Sequence, residues 1–311
     1  MEHYVTLFDS LFLPQGLALH KSMERHAGQY ALWVLCVDNE AFNALSMLAL
    51  PNIRLLQLIH IETPELRRVK RRRSIAEYCW TLTPFAPRFV FAADPTVSRV
   101  TYLDADMWFR KTPDPIFKEF AESKKAVLIT EHAYAPEYDQ SEIAGEYCVQ
   151  FMTFTRTGGE LVRKWWEERC IEWCYSRHED GKFGDQKYLD DWPERFSEAV
   201  HVLKQRHLLL APWNATRFPF SSAIAYHFHG LRICKRIILS NGYALPDPIV
   251  SNVYKHYLSD LKYSISLLAS HGVVFRKQGK EPTILDHLIS LLRGARQNIW
   301  RLNVRRIDDI S

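Results

Sequence analysis

Two aspartates separated by one residue, Asp104 and Asp106, stand at the end of a short apolar run, Arg99 to Leu103 (RVTYL). Residues two apart in an extended backbone face the same side, so both carboxylates can converge on one cation. Two anions held that close repel each other, and a divalent metal relieves the repulsion. The plain alternative is a solvated strand-to-loop corner, but Met107, Trp108 and Phe109 follow at once and argue against full solvation. Farther along, Tyr226 to Gly230 (YHFHG) offers two imidazoles, His227 and His229. Two carboxylates and one imidazole, with positions left open, suit Mn²⁺ better than an all-oxygen Mg²⁺ or Ca²⁺ cage, and a diphosphate would take the open positions.

Such residues need a frame, and the first half of the chain supplies one. Apolar runs at Tyr4–Phe8, Tyr30–Val37, Ile53–Ile59, Arg99–Leu103 and Ala126–Thr130 read as strands. Between them, Leu13 to Met23 and Glu40 to Leu50 carry helical spacing. Alternation of this kind predicts an α/β domain whose mostly parallel, doubly wound sheet has helices on both faces. Ligands of such sheets bind beyond the carboxyl ends of the strands, where the aspartate pair falls. The second half is less regular. Cys148 to Thr155 alternates like a strand, Gly159 to Tyr175 reads as a Trp-rich helix, and Gly181 to Asp191 as a polar turn entering a helix. From about Asp247 the pattern is helical, closing with an arginine-rich amphipathic helix over Thr283 to Arg306. We therefore divide the chain into 1–245, with a nucleotide-binding half to about 131 and an acceptor half beyond it, and a helical extension over 246–311.

Composition limits the function. Of 311 residues, 47% are hydrophobic and 24% charged, which excludes collagen and disordered classes and allows a normal core. Forty basic against 36 acidic residues give +4, too balanced to imply nucleic acid as a partner. The six cysteines form no disulfide framework, nothing at the start reads as a secretory signal, and no stretch of about 18 apolar residues occurs. A cytoplasmic protein with reduced thiols is the expectation.

Four segments, in order, resemble the GT-A fold glycosyltransferases, in particular family 8 and its glycogenin-like relatives. They are the opening strand and helix from Thr6 to Leu19, Tyr102 to Asp106 (YLDAD) matching the DxD hallmark, Gly184-Asp185-Gln186 matching a D-Q element, and His227 to Gly230 (HFHG) matching an H-x-x-G turn. Together they cover about residues 3–232. The resemblance, to a divergent and bacterial branch, implies a nucleotide-diphosphate sugar donor, usually UDP-linked. It also implies Mn²⁺ (or Mg²⁺) and transfer with retained anomeric configuration to a glycan or lipid-linked saccharide hydroxyl. Two departures stand out. Where the family has a lysine followed by Pro-Trp after the H-x-x-G turn, this chain has Leu231 to Lys235 (LRICK), so Arg232 or Lys235 substitutes. Glu146 to Gln150 (EYCVQ) lacks the usual Asn-x-Gly of the acceptor side.

With that resemblance in place, Asp104, Asp106 and His227 are the expected metal ligands, His229 being the alternative to His227. Thr6 and Asp9 would bound the nucleobase pocket, although Asp9 is equally a helix N-cap. Arg72 or Arg73, in the basic run 67–73, would clamp the diphosphate with bidentate hydrogen bonds, beside Ala105 and Gly230. Asp185 and Gln186 would contact the transferred sugar, with Asp185 available as a general base. Gln150, Trp213 and Asn214 are the acceptor candidates, whereas Trp165 and Trp166 read as core. The 283–306 helix either packs on the domain or lies against anionic lipid at the inner face of the membrane. Two other readings compete: a binding protein of the same fold without catalysis, and a metal enzyme acting on nucleic acid.

Overall fold

The computed structural model describes residues 1–234, 237–240, 243, 245–274, 278 and 303–306. Lys235 and most of the arginine-rich tail, including 283–302, lie outside the described residues.

The first half alternates as its periodicity requires. Strand β1 (Glu2–Phe8) leads through a 3₁₀ turn (Ser10–Phe12) into α1 (Leu13–His26), where Pro14 occupies the first turn without sacrificing a hydrogen bond. Next come β2 (Tyr30–Cys36) and α2 (Asn39–Leu48), whose N-cap Asp38 accepts the Ala41 N–H at 2.8 Å. Then β3 (Ile53–Gln57) passes into a helical turn, α3 (Leu58–Ile61). The strand is shorter than its apolar run because Cys36 opposite Gln57 is the last pair that β2 can offer. Three helices follow: α4 (Pro64–Lys70), α5 (Ile75–Leu82), begun by a Ser74–Glu77 capping box, and α6 (Phe85–Ala93). They lead to β4 (Arg99–Leu103), β5 (Met107–Phe109), α7 (Asp114–Ser123) and β6 (Val127–Glu131).

The second half has α8 (Ser141–Ala144), β7 (Tyr147–Thr155), α9 (Glu160–Glu172), α10 (Trp192–Arg195), β8 (Val200–Val202), β9 (Leu209–Leu210), β10 (Ala225–His227), β11 (Arg232–Ile233) and β12 (Ile237–Ser240). After α11 (Asp247–Ile249) and a π-helical turn, α12 (Lys255–Ser270) packs along α1. Finally, β13 (Asn303–Arg306) pairs antiparallel with β12. The helix expected up to Arg306 therefore does not include 303–306, whose backbone is drawn into a strand by the open ladder of β12.

The main sheet has seven strands in the order β3-β2-β1-β4-β7-β6-β8, with β7 antiparallel to its neighbours and all other pairs parallel. Alternate residues of β1 divide its core: Tyr4 and Phe8 face α1 and α7, whereas Val5 and Leu7 face α4 to α6. Trp166, on α9, is fully buried against Phe154 and Trp192, as expected of a core tryptophan. The strand order reverses between β1 and β4, which opens a crevice beyond their carboxyl ends. A separate three-stranded ribbon, β5-β10-β9, begins four residues past the carboxyl end of β4.

Candidate metal centre and active site

The ribbon explains how residues 120 positions apart meet. After β4 the chain turns through Asp104-Ala105-Asp106, closed by the Met107 N–H on the Asp104 carbonyl at 3.1 Å. The antiparallel register of β5 and β10 sets His227 opposite Met107, and the Phe228 N–H bonds the Asp106 carbonyl at 2.9 Å. As a result His227 Nε2 lies 3.0 Å from Asp106 Oδ1 and 3.7 Å from Asp104 Oδ2. One ligand atom from each of the three residues lies within 4.8 Å of the other two. Among the described residues this is the single group with metal-site spacing, and His229 is not in it. His229 is exposed, its ring 5.7 Å from that of His227.

The neighbours hold each ligand in orientation. The Tyr102 hydroxyl donates to Asp104 Oδ1 at 3.0 Å, and the Asp104 N–H donates to the Gln150 carbonyl at 3.2 Å. His227 Nδ1 meets Gln150 Oε1 at 2.9 Å, while the Trp213 ring stands edge-on 5.3 Å away.

Electrostatics agree with a site built for a cation. Burial pushes the Asp104 carboxyl up to about 6, eased by His227 and reinforced by Asp106. Burial would raise Asp106 as well, but the adjoining imidazolium overrides it and holds the group at about 2. For His227 burial acts downward, and the two carboxylates more than reverse it, raising the imidazole well above its ordinary value. A proton on His227 thus neutralises what a divalent ion would neutralise more fully. Two carboxylates, an imidazole whose second nitrogen is already engaged, and a half-open flank at Asp104 fit such an ion.

Asp185 lies deeper, 2% exposed, with Oδ2 lacking a hydrogen-bond partner. Burial pushes its carboxyl up to about 7, the Thr83 hydroxyl opposes the shift and the Asp104 charge adds to it. Gly184 (φ +54°), before it, makes the left-handed turn that brings the loop in against Trp80. Gln186 Nε2 donates to the Ala144 carbonyl at 2.7 Å, tying this loop to α8.

Several expected site residues are placed otherwise. Asp9 Oδ1 accepts the Leu11 N–H at 3.0 Å, so its N-cap role is realised. Thr6 is wholly enclosed within β1, on the face that carries Tyr4 and Phe8. Arg73 is turned toward α9, bonding the Ile171 carbonyl at 3.0 Å and the Thr81 hydroxyl, so it is not free to clamp a diphosphate. Arg72 is exposed. Gln150, Trp213 and Asn214 are buried rather than presented to an acceptor. Trp213 Nε1 and Asn214 Nδ2 both donate to the His132 carbonyl at 2.9 Å, because a loop that closes over the histidines must satisfy its own backbone. Ala105 is buried in the aspartate turn, and Gly230 adopts φ +77° in the turn after His229. Arg232 follows on β11, where its charge bears on Asp106. Three neighbours of the site carry no assigned role in the sequence reading: Thr83 beside Asp185, Cys148 against the His227 ring, and Tyr102, there only a letter of the YLDAD motif. Strand parity gave one available signal, since Cys148 and Gln150 share a face of β7.

No family model matches the chain. It is 30% identical to the uncharacterized protein YfnF of Bacillus subtilis (strain 168) over 249 residues, 74% of this chain and 82% of YfnF. It is 27% identical to YfnD of the same organism over 286 residues, 86% of this chain and 91% of YfnD. Among solved structures it is similar to the apo bifunctional glycosyltransferase WbbM, with a TM-score of 0.51 and 13% identity. That match covers 86% of this chain and 51% of WbbM, so this chain spans about half of that larger protein. The mostly parallel sheet, with helices on both faces, is the GT-A type of fold.

Proposed function

This chain belongs to the family of Bacillus subtilis YfnF, and we propose that it moves a sugar from a nucleotide-diphosphate donor to an acceptor hydroxyl with the help of a divalent metal. The observation that carries the reading is the convergence of Asp104, Asp106 and His227 beyond the carboxyl ends of the strands. We take the donor to be UDP-linked, the metal to be Mn²⁺, the acceptor to be a glycan or lipid-linked saccharide, and transfer to retain anomeric configuration. Each follows the resemblance to family 8, and the donor set favours Mn²⁺ over an all-oxygen cation.

Asp104, Asp106 and His227 would hold the ion, which when bound supplies Lewis-acid stabilisation of the diphosphate as negative charge develops on it. Arg232, whose charge is felt at Asp106, would add a permanent positive charge toward the diphosphate. Asp185, whose carboxyl is raised to about 7 by burial with the Asp104 charge adding to it, would contact the transferred sugar and could hold a sugar hydroxyl as donor or acceptor. Asp9 and Asp38 rigidify the end of β1 beside the nucleobase, since Asp38 Oδ2 accepts both the Ser10 N–H at 3.0 Å and its hydroxyl at 2.7 Å. Lys235 would be a second phosphate contact, and 283–306 a peripheral contact with anionic lipid.

The test is nucleotide release from a panel of nucleotide sugars with Mn²⁺, with and without candidate acceptors. We expect one donor to be consumed, with Asp106→Asn and His227→Ala each lowering turnover at least about 100-fold. Full turnover in either variant refutes the metal reading. Tight donor binding without any release would instead favour a non-catalytic binding protein.

A further inference from the structure

We infer that Gln150 is the positioning residue of the metal centre, selecting the imidazole tautomer of His227 that leaves Nε2 free to ligate; this rests on the metal reading above. Gln150 touches two of the three ligands. Its backbone carbonyl accepts the Asp104 N–H at 3.2 Å, and its side-chain Oε1 meets His227 Nδ1 at 2.9 Å. An amide oxygen can only accept, so Nδ1 must carry the proton and Nε2, facing both carboxylates, keeps its lone pair whenever His227 is neutral. Turned over, the same amide would present N–H to Nδ1 and force the proton onto Nε2, closing the site to a metal.

Energetics indicate why an amide stands there. Gln150 is fully buried on β7, an interior strand of the sheet, and its Nε2 has no hydrogen-bond partner. An enclosed amide with its N–H groups unmatched is costly, and an apolar side chain of similar size would fill the space more favourably. The compensating gain is the single bond to His227. Cys148, two residues earlier on the same face of β7, also lies against that ring. Both residues lie in the 146–150 segment, which lacks the Asn-x-Gly usual in the family 8 enzymes that the sequence resembles. The departure therefore bears on the metal centre.

The test reads metal binding and tautomer rather than turnover. Titrating Mn²⁺ alone by electron paramagnetic resonance, we expect Gln150→Leu to weaken binding about 10- to 100-fold. Gln150→Glu, which restores an acceptor, should stay within about threefold of wild type. Thermal melting without metal reports whether each variant is folded. In wild-type protein carrying ¹⁵N-labelled histidine and loaded with Mg²⁺, the His227 Nδ1 resonance should be of the protonated type, a readout that depends on no variant. Unchanged Mn²⁺ affinity in folded Gln150→Leu, or an Nε2-protonated ring, overturns this inference alone. Failure of the wild-type protein to bind Mn²⁺ at all overturns the metal reading, and this inference with it.

Discussion

Asp185 is held in a place that burial makes unfavourable for its charge. Its folded pKa near 7 lies above the roughly 3.9 of an exposed aspartate, so between those values the native state keeps a proton that the unfolded chain has lost. Stability from this group is therefore greatest below about pH 4 and declines as pH rises toward 7, by at most about 1.4 kcal/mol per pH unit. Asp185→Asn should accordingly melt at a higher temperature than wild type at pH 7.5, with the difference vanishing near pH 4, while turnover drops. A variant less stable than wild type at pH 7.5 would show that the carboxylate is held by partners rather than strained. Strain of this kind at a functional residue is where activity and stability trade against each other.

Elements place these residues by close approach, and α1 against β1 is the tightest case. A Cβ on Gly16 would lie 2.4 Å from Phe8 Cε1, and Phe8 is itself enclosed in the core at the end of β1. Gly16→Ala should thus cost about 1–3 kcal/mol in a denaturant melt despite its better helix propensity, because the helix or the ring must shift. A stabilised variant would contradict the packing. The junction of α6 and β4 is pinned differently. Arg156 donates to the carbonyls of Val97, Phe91 and Asp94 at 2.7, 3.1 and 2.7 Å, so Arg156→Ala should lose about 2–3 kcal/mol. Equal stability in the same melt would mean that water replaces all three bonds. Neither contact involves Asp104 or Asp106, and both fix the crevice by fixing its walls.

At the scale of the whole molecule, pH acts on the fold through opposing groups. Burial drives the His132 imidazole down to about 3, although its bond to the Glu146 carbonyl works the other way. Its neutral form is favoured in the folded protein, so its contribution is intact above about pH 6.5 and is lost as pH falls toward 3. Across pH 4–6.5 this slope has the opposite sign to that of Asp185, and the two offset each other. His132→Gln should therefore change the slope of stability against pH in that window, making the protein lose stability as pH rises, whatever packing it sacrifices against Tyr134 and Trp213. An unaltered slope in melts from pH 4 to 6.5 would assign acid sensitivity to other groups.

Periodicity and local chemistry were enough to read the alternating first half, the parallel sheet and the aspartate pair, because strand parity, capping and apolar runs are properties of neighbouring residues. The resemblance to family 8 added His227 to that pair. The partners of the ligands depended on tertiary structure: the register of β5 on β10 selects His227 over His229, and the facing of β7 turns Gln150 inward to the imidazole. Burial then withdrew Trp213 and Asn214 from the acceptor side and turned Arg73 toward α9. None of this is encoded locally, since a side chain's role at a crevice depends on which distant strand lies beside it and how much water remains.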